Sequence, residues 1–162
     1  MYVNQHPLAL NLDVDLLRRL IGGWQDRPPE SGRLARQIAR SAAVLHLRAG
    51  HDVVVPQYLA KTDFIEQLES AAAEVGAGFR EVVLMTSREE AVRRFDHRTR
   101  AGADPMHAEA RQMAELEGGS GAVGAMYDRL LDLIAQRPHS TIVAADGTDE
   151  WTTYQRLLVA LG

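Results

Sequence analysis

Acids and arginines directly follow the first apolar run of the chain. "LALNL" (8–12) is followed by Asp13 and Asp15, and then by Arg18 and Arg19. An aspartate at the carboxyl end of a strand can accept a proton from a substrate hydroxyl or hold a magnesium-bound water. One acid can instead cap the helix that follows while the other complements its dipole. Both interpretations stay open for Asp13, and the capping role is favoured for Asp15.

A second concentration of charge is the segment "EEAVRRFDHRTRAG" (89–102), which carries four arginines. Arg94 and Arg98 stand four residues apart, so they share one face of a predicted helix. Guanidinium groups bind phosphate oxygens through paired hydrogen bonds, and these two could close over phosphates as part of a lid within residues 93–122. The alternative is a solvated face on which the arginines pair with the neighbouring acids.

Other patterns that can signal chemistry are weak in this chain. Gly119, Gly121 and Gly124 have the G-x-G-x-x-G spacing of a dinucleotide loop, but they follow a predicted helix where that loop requires a strand. A flexible linker between helices is therefore favoured. The histidines form no H-x-x-x-H pair, cysteine is absent, and no G-x-S-x-G motif occurs, so no metal site and no such nucleophile is predicted.

Composition excludes further classes of function. The 162 residues carry a net charge of −4, which gives no reason to expect nucleic acid or an anionic membrane as a partner. No apolar run approaches the length of a membrane span, and the start lacks the basic segment of a secretory signal. We therefore expect a cytoplasmic protein with one domain over residues 1–162.

Strands alternate with helices along the sequence. Short apolar runs at 8–12, 51–57, 79–87 and 140–147 predict strands, and the intervening segments have helical periodicity. The proline pair places a loop at 25–31, with Ser31 able to cap the helix after it. That helix, 32–50, is predicted to be amphipathic, with one face formed by Leu34, Ile38, Ala42 and Leu45. The order predicts an α/β sandwich of three layers with a mostly parallel sheet.

Four segments, in their order and spacing, carry a resemblance to a known family. They are "LNLDVDLLRRLIGGW" (10–24), "GHDVVVPQYL" (50–59), "FREVVLMTSREEAVRRFDHR" (79–98) and "STIVAADGT" (140–148). With them the chain resembles the small P-loop kinase-like ATP-binding proteins, relatives of gluconate kinase, chloramphenicol phosphotransferase and the kinase half of polynucleotide kinase. The resemblance covers nearly all of the chain from about residue 8 and implies the P-loop NTPase fold.

The first strand of that family and its phosphate loop, G-x-x-x-x-G-K-[ST], have no counterpart in these residues. Lys61 is the only lysine, and no glycine precedes it at the required spacing. The resemblance therefore implies a chain truncated at its N-terminus. In the adenylate-kinase-like order 2-3-1-4-5 the missing strand is the central one, so the strands beside it would expose edges, pair directly, or be covered by another chain or another copy.

The resemblance also implies roles for individual residues. Asp13 matches the acid that binds the substrate hydroxyl, and Arg18 lies where a substrate-side arginine is expected. Arg94 and Arg98 match the arginines of the lid, and Asp146, Gly147 and Thr148 match the loop near the adenine. ATP and Mg²⁺ are implied as cofactors, and a nucleotide and a small molecule as ligands. With the phosphate loop absent, we expect a chain that is inactive in phosphoryl transfer, or a non-catalytic module that binds a partner or self-associates.

Overall fold

The computed structural model describes residues 1–59, 61–101 and 120–162, with side chains for all of these except 98–101, 120 and 122. The chain divides into two compact units, Met1–Phe79 and Arg80–Gly162. Helices alternate with short parallel strands in both, as the sequence predicts for an α/β protein. Among the described residues, no helix combines the length and the apolar composition that a bilayer span requires.

The first unit has a sheet of two parallel strands. Its elements are α1 (Tyr2–Gln5), β1 (Leu10–Asn11), α2 (Val14–Arg19), α3 (Pro28–Arg48), β2 (Val53–Val54) and α4 (Thr62–Glu74). Leu10 pairs with Val53 and Asn11 with Val54. Both strands lie where the apolar runs predict them but are shorter. β2 ends before Pro56, which has no backbone N–H to donate to a neighbouring strand.

Helix α3 buries small side chains. The helix packs against both α2 and α4. The prediction of its apolar face is wrong, because Leu34, Ile38 and Leu45 are 42%, 46% and 73% exposed. Side chains without bulk at every fourth position allow neighbouring helices to approach closely. The buried stripe consists of Ser31, Ala35, Ala39 and Ala43.

The start of α3 also differs from the prediction. The helix begins at Pro28, with Arg27 in the N-cap position, so Ser31 lies within the helix and is not its cap. A proline fits the first turn because its missing N–H would have no partner there. Ser31 is 2% exposed, and its hydroxyl lies 2.9 Å from the Trp24 carbonyl oxygen and 3.2 Å from that of Pro28.

The second unit contains the other parallel pair of strands. Its elements are β3 (Val82–Met85), α5 (Arg88–Ala101), α6 (Ser120–Gln136), β4 (Thr141–Ala144) and α7 (Glu150–Leu161). β3 and β4 pair over four residues each, from Val82 opposite Thr141 to Met85 opposite Ala144. Helix α5 packs against α6, and α7 packs against β4. Apolar burial in this unit is carried by Leu133, Val143, Ala145 and Tyr154. The helix predicted directly before the glycine motif of residues 119–124 lies outside the described residues.

Candidate functional site

Asp13 caps α2 at the carboxyl end of β1. Its backbone is extended (φ −79°, ψ 113°), and its Oδ1 accepts hydrogen bonds from the amides of Asp15 (2.9 Å) and Leu16 (3.2 Å). These two N–H groups have no partner inside the helix, and an aspartate in this position supplies one. The cap uses only Oδ1, so it is compatible with a catalytic role of the carboxylate, which stays a prediction.

Asp13 and not Asp15 is the cap of α2, and Asp15 takes the place of the second acid, in the first turn, where a negative charge complements the helix dipole. Asp15 lies two residues after the cap and is exposed, and its Oδ2 accepts a hydrogen bond of 3.1 Å from Nε2 of Gln57. Gln57 comes three residues after β2, and parallel strands place their carboxyl ends at one edge of a sheet. The side chains after β1 and β2 therefore meet across 42 positions of sequence.

The contact with Asp15 satisfies only one end of the Gln57 side-chain amide. Its Oε1 is buried and has no hydrogen-bond partner, a condition shared among the described side chains only by Glu81 Oε1. The other oxygen of Glu81 is paired with Nε of Arg137 at 2.8 Å. An unpartnered buried acceptor costs about 1–3 kcal/mol. In the sequence, a single glutamine after a predicted strand gives no signal that would single out Gln57.

Arg18 is integrated into the loop that precedes α3. Its Nε donates to Oγ of Ser31 at 3.2 Å, and its guanidinium lies 5.0 Å from the centre of the Trp24 ring. A cation over an aromatic face and a hydrogen bond to a buried hydroxyl both favour this position. Arg18 thus stabilises the fold around Trp24, and the substrate contact implied by the resemblance stays a prediction.

In the second unit, Asp146 links the ends of β3 and β4. Its Oδ1 accepts from the Thr86 hydroxyl at 2.6 Å and from the Ser87 amide at 2.7 Å. The hydrogen bond from Thr86 and then that from the Ser87 amide hold the pKa of Asp146 below its ordinary value, against an opposing effect of desolvation, and the positive charge of Arg94 is the least of the causes. The carboxylate fixes the turn that leads into Gly147.

Arg94 contacts the same turn from α5. Its Nε donates to Oε1 of Glu90 at 2.7 Å, and its Nη2 donates to the carbonyl oxygen of Ala145 at 2.9 Å. The salt-bridged interpretation of this helix is therefore confirmed for Arg94, since Glu90 is its partner in the described structure. The backbone of Arg98 lies in α5, whereas its side chain and most of the predicted lid lie outside the described residues.

Gly147 and Thr148 form the remainder of the predicted nucleotide loop. Gly147 has a left-handed backbone with φ of +58°, and a Cβ there would meet nothing within 4 Å. Thr148 Oγ1 lies 2.8 Å from Oγ1 of Thr153, and Asp149 caps α7 through the Thr152 amide at 2.6 Å. The loop is thus fixed at both ends, and the exposed Gly147 leaves its tip open.

The glycine motif does not form a loop in the part of it that the structure describes. Gly121 and Gly124 lie in the first turns of α6, so the predicted linker is wrong at these positions. Gly124 is buried, and a Cβ there would be 2.7 Å from Nη2 of Arg88, which crosses it to reach Asp128 at 3.1 Å. The motif serves the packing of α5 on α6.

The described residues do not fit a bound ATP–Mg²⁺ complex by themselves. Lys61 occupies the N-cap position of α4, and Val55 and Ala60 stand where a phosphate loop has glycines. Pro56 follows β2 where such sites place an acid that organises magnesium. Among the described side chains, no three His, Cys, Asp or Glu residues come together in a way that could hold a metal ion.

A family model matches most of this chain. The model is described as an AAA domain, and it matches residues 2–119. The matched range includes Asp13, Asp15, Gln57 and Arg94 and ends before β4. Among curated proteins and among solved structures, none matches the chain significantly.

Proposed function

The chain belongs to the AAA domain family, a kinase-like family of P-loop NTPases, and from this membership we propose that it is the acceptor-binding part of an ATP-dependent phosphotransferase. The parent reaction transfers the γ-phosphoryl group to a hydroxyl of a small molecule. In this proposal Asp13 receives the proton of that hydroxyl, and Arg18 supports the substrate side of the site.

One observation supports the acceptor role above the others. Asp13, Asp15 and Gln57 follow neighbouring parallel strands, and the hydrogen bond between Asp15 and Gln57 ties the two strand ends together. Ligands of open parallel sheets bind at this edge of the strands. All three side chains accept hydrogen bonds, as recognition of a hydroxyl donor requires.

The donor side of the reaction is not provided by these residues alone. Because no phosphate loop and no magnesium-organising acid are found in the sequence, we propose that the first strand and the loop are supplied from outside it. By this proposal the 162 residues have negligible ATP affinity and no turnover. Arg94, Arg98, Gly147 and Thr148 would contact the nucleotide only when the phosphate loop is present.

The same proposal extends to the arrangement of the sheet. The pairings of β1 with β2 and of β3 with β4 both occur in the adenylate-kinase-like strand order. We propose a three-layer sandwich of that order without its first strand. A cytoplasmic location is proposed with it.

Three experiments test the function. Calorimetry with ATP and Mg²⁺ on the 162-residue chain should give no binding, and micromolar, magnesium-dependent binding would overturn the proposal. The coding DNA upstream of Met1 should encode, in frame, an apolar segment typical of a β-strand followed by the motif G-x-x-x-x-G-K-[ST]. In the protein that includes this loop, Arg94→Ala with Arg98→Ala should weaken nucleotide binding. Equal damage to the chain without the loop would assign the arginines to folding.

A second candidate function is self-association without catalysis. Within its described sheet each strand has one hydrogen-bonded neighbour, and Leu84 and Ile142 are 52% and 55% exposed on β3 and β4. Unpaired strand edges readily pair with another chain. Light scattering over a range of concentrations tests this: a concentration-dependent dimer that Leu84→Lys dissolves would favour the second candidate, and a monomer throughout would exclude it.

A further inference from the structure

We propose that helix α3 pairs in antiparallel orientation with α3 of a second copy of this chain, through a stripe of exposed side chains. The stripe consists of Leu34, Ile38, Ser41 and Leu45. This inference does not depend on the proposed function. It also concerns a surface of the first unit, whereas the strands considered above for self-association, β3 and β4, belong to the second.

The stripe is exposed along much of α3. Leu34, Ile38 and Leu45 are 42%, 46% and 73% exposed, and Ser41 between them is exposed as well. The buried alanines of α3 lie on a different face of the helix, and α3 packs against α2 and α4. Single exposed apolar side chains are ordinary, but three large ones in one row of a helix are typical of an interaction surface.

The spacing within the stripe is that of two helices packed along their length. Its successive positions are 4, 3 and 4 residues apart, which is the alternation that places side chains on the shared seam of a helix pair. Ser41, the one polar member, is small and leaves room for a larger side chain of the partner. The stripe therefore indicates a helix as the partner.

The order of side chains along the stripe fits an antiparallel copy of itself. In that arrangement Leu34 faces Leu45 of the second copy, and Ile38 faces Ser41, because both pairs are centred on the same point of α3. A two-fold axis through this point makes each contact occur twice, so all four positions of both copies are matched. The largest gap, at the serine, is filled by the isoleucine opposite.

The charges at the ends of α3 favour the same direction. Glu30 lies in the first turn and Arg48 in the last, both are exposed, and neither forms an ion pair within the described residues. The two are centred on almost the same point as the stripe, so each Glu30 comes beside an Arg48 of the second copy. A parallel pair would bring like charges together at both ends. Both residues also complement the dipole of α3 itself, so they set the direction of the pair and the apolar row supplies the attraction.

Introduced cysteines test the direction, because the chain has none of its own. Leu34→Cys and Leu45→Cys are prepared separately in the 162-residue chain and then mixed under mild oxidation. A disulfide needs Cα atoms about 4.4–6.8 Å apart, which the antiparallel pair provides only between the two different variants. In either variant alone the two cysteines would be about 16 Å apart along the helix axis. We expect a cross-linked dimer from the mixture and none from either variant alone.

Sedimentation equilibrium of the same chain measures the strength of the pairing. One helix pair is a small interface, so we expect a Kd of about 10–100 µM. Leu45→Glu places a charge against Leu34 twice in the dimer and should weaken it about a hundredfold or more. Val159→Glu on α7 is the matched control, since Val159 is helical, 84% exposed and in the second unit, and should leave the Kd unchanged.

Charge reversal tests the register. Glu30→Arg and Arg48→Glu each place like charges together at both ends of the antiparallel pair, and each should weaken the dimer about tenfold. The protein with both substitutions has opposite charges facing each other again and should recover the original Kd. Two weakened single variants without recovery in the double variant would refute the register.

Other results would overturn the pairing itself. They are a monomer at all concentrations up to about 1 mM, cross-linking of either cysteine variant alone, and a dimer that Leu84→Lys or Val159→Glu dissolves while Leu45→Glu does not. Two results would assign the stripe to another occupant and equally refute the inference. One is binding of a monomer to vesicles of anionic lipid that Leu45→Glu abolishes. The other is loss of the mixed cross-link in a longer protein that includes the segment encoded upstream.

Discussion

Two substitutions of Asp13 separate the helix cap from the acid chemistry predicted for the same residue. Asparagine caps helices nearly as well as aspartate, so Asp13→Asn should change the free energy of unfolding by less than about 0.5 kcal/mol. Alanine removes both hydrogen bonds, to the amides of Asp15 and Leu16. Loss of such a cap costs about 0.5–2 kcal/mol. We expect the upper half of this range, since the next residue, Val14, belongs to the buried core.

Urea unfolding followed by circular dichroism gives the stability, and an unchanged slope against urea shows that the comparison is valid. Asp132→Ala, at an exposed position within α6, is the control and should change the free energy of unfolding by no more than about 0.5 kcal/mol, less than Asp13→Ala. Activity is measured in the protein that contains the phosphate loop. There Asp13→Asn should lower kcat by about 10²–10⁴-fold, because an amide cannot accept the proton.

The two readouts can contradict the reasoning independently. If Asp13→Asn and Asp13→Ala destabilise the protein equally, the carboxylate charge and not the cap geometry stabilises α2. If Asp13→Asn keeps full kcat, Asp13 is a cap alone and the acid role falls to another residue. Asp15 would then be the next to substitute, because it follows the same strand and its carboxylate is exposed.

Three other predictions concern the second unit. The pKa of Asp146 lies below its ordinary value of 3.8, so its carboxylate stabilises the fold above pH 3.8 and loses this effect as the pH falls through the folded pKa. Asp146→Asn should therefore make the free energy of unfolding fall less steeply as the pH is lowered through this range. Parallel curves for the two proteins would contradict this. Gly124→Ala displaces only the flexible end of Arg88, whose exposed ion pair with Asp128 contributes at most about 1 kcal/mol, and it gains about 1 kcal/mol in helix propensity. The free energy of unfolding in urea should therefore hardly change, and a loss above about 2 kcal/mol would refute this. Gly147→Ala places a side chain on a left-handed backbone and should lower the free energy of unfolding by about 1 kcal/mol. Gly147→Asn should lower it less, because asparagine adopts this conformation more readily, and equal losses would show that backbone strain is not the cause.

The sequence predicts the alternation of elements well but not which face of a helix is buried. Periodicity reports where apolar residues recur, and in α3 they recur on a face that is largely exposed. The buried stripe is made of alanines, whose hydrophobicity is low and whose importance lies in how closely α2 and α4 can approach. That closeness depends on the neighbouring helices, so it cannot be read from α3 alone. In α4, where Phe64 and Ile65 are both bulky and buried, pattern and packing agree.

The candidate site was predicted only where its residues stand next to one another in sequence. Asp13 and Asp15 were found because acids directly follow a predicted strand, but which of the two caps the helix depends on backbone angles that the sequence does not give. Gln57 was missed because its importance comes from a partner 42 positions away. Register between β1 and β2 creates that contact, and register is a property of the folded sheet.

The contacts of Arg94 show that a lid role and a structural role would be alternatives for one guanidinium group. To reach a phosphate, its guanidinium would have to leave the Ala145 carbonyl and the Glu90 carboxylate. A phosphate offers Arg94 hydrogen bonds of similar or greater strength, so the exchange is nearly balanced and a nucleotide of modest affinity can shift it. Releasing Ala145 would also loosen the turn that Asp146 and Gly147 form. If the proposed protein with its phosphate loop binds a nucleotide through Arg94, binding would therefore be coupled to the conformation of that turn. Arg94→Lys, which cannot hold both partners with a planar fork, should then weaken the coupling more than it weakens the fold.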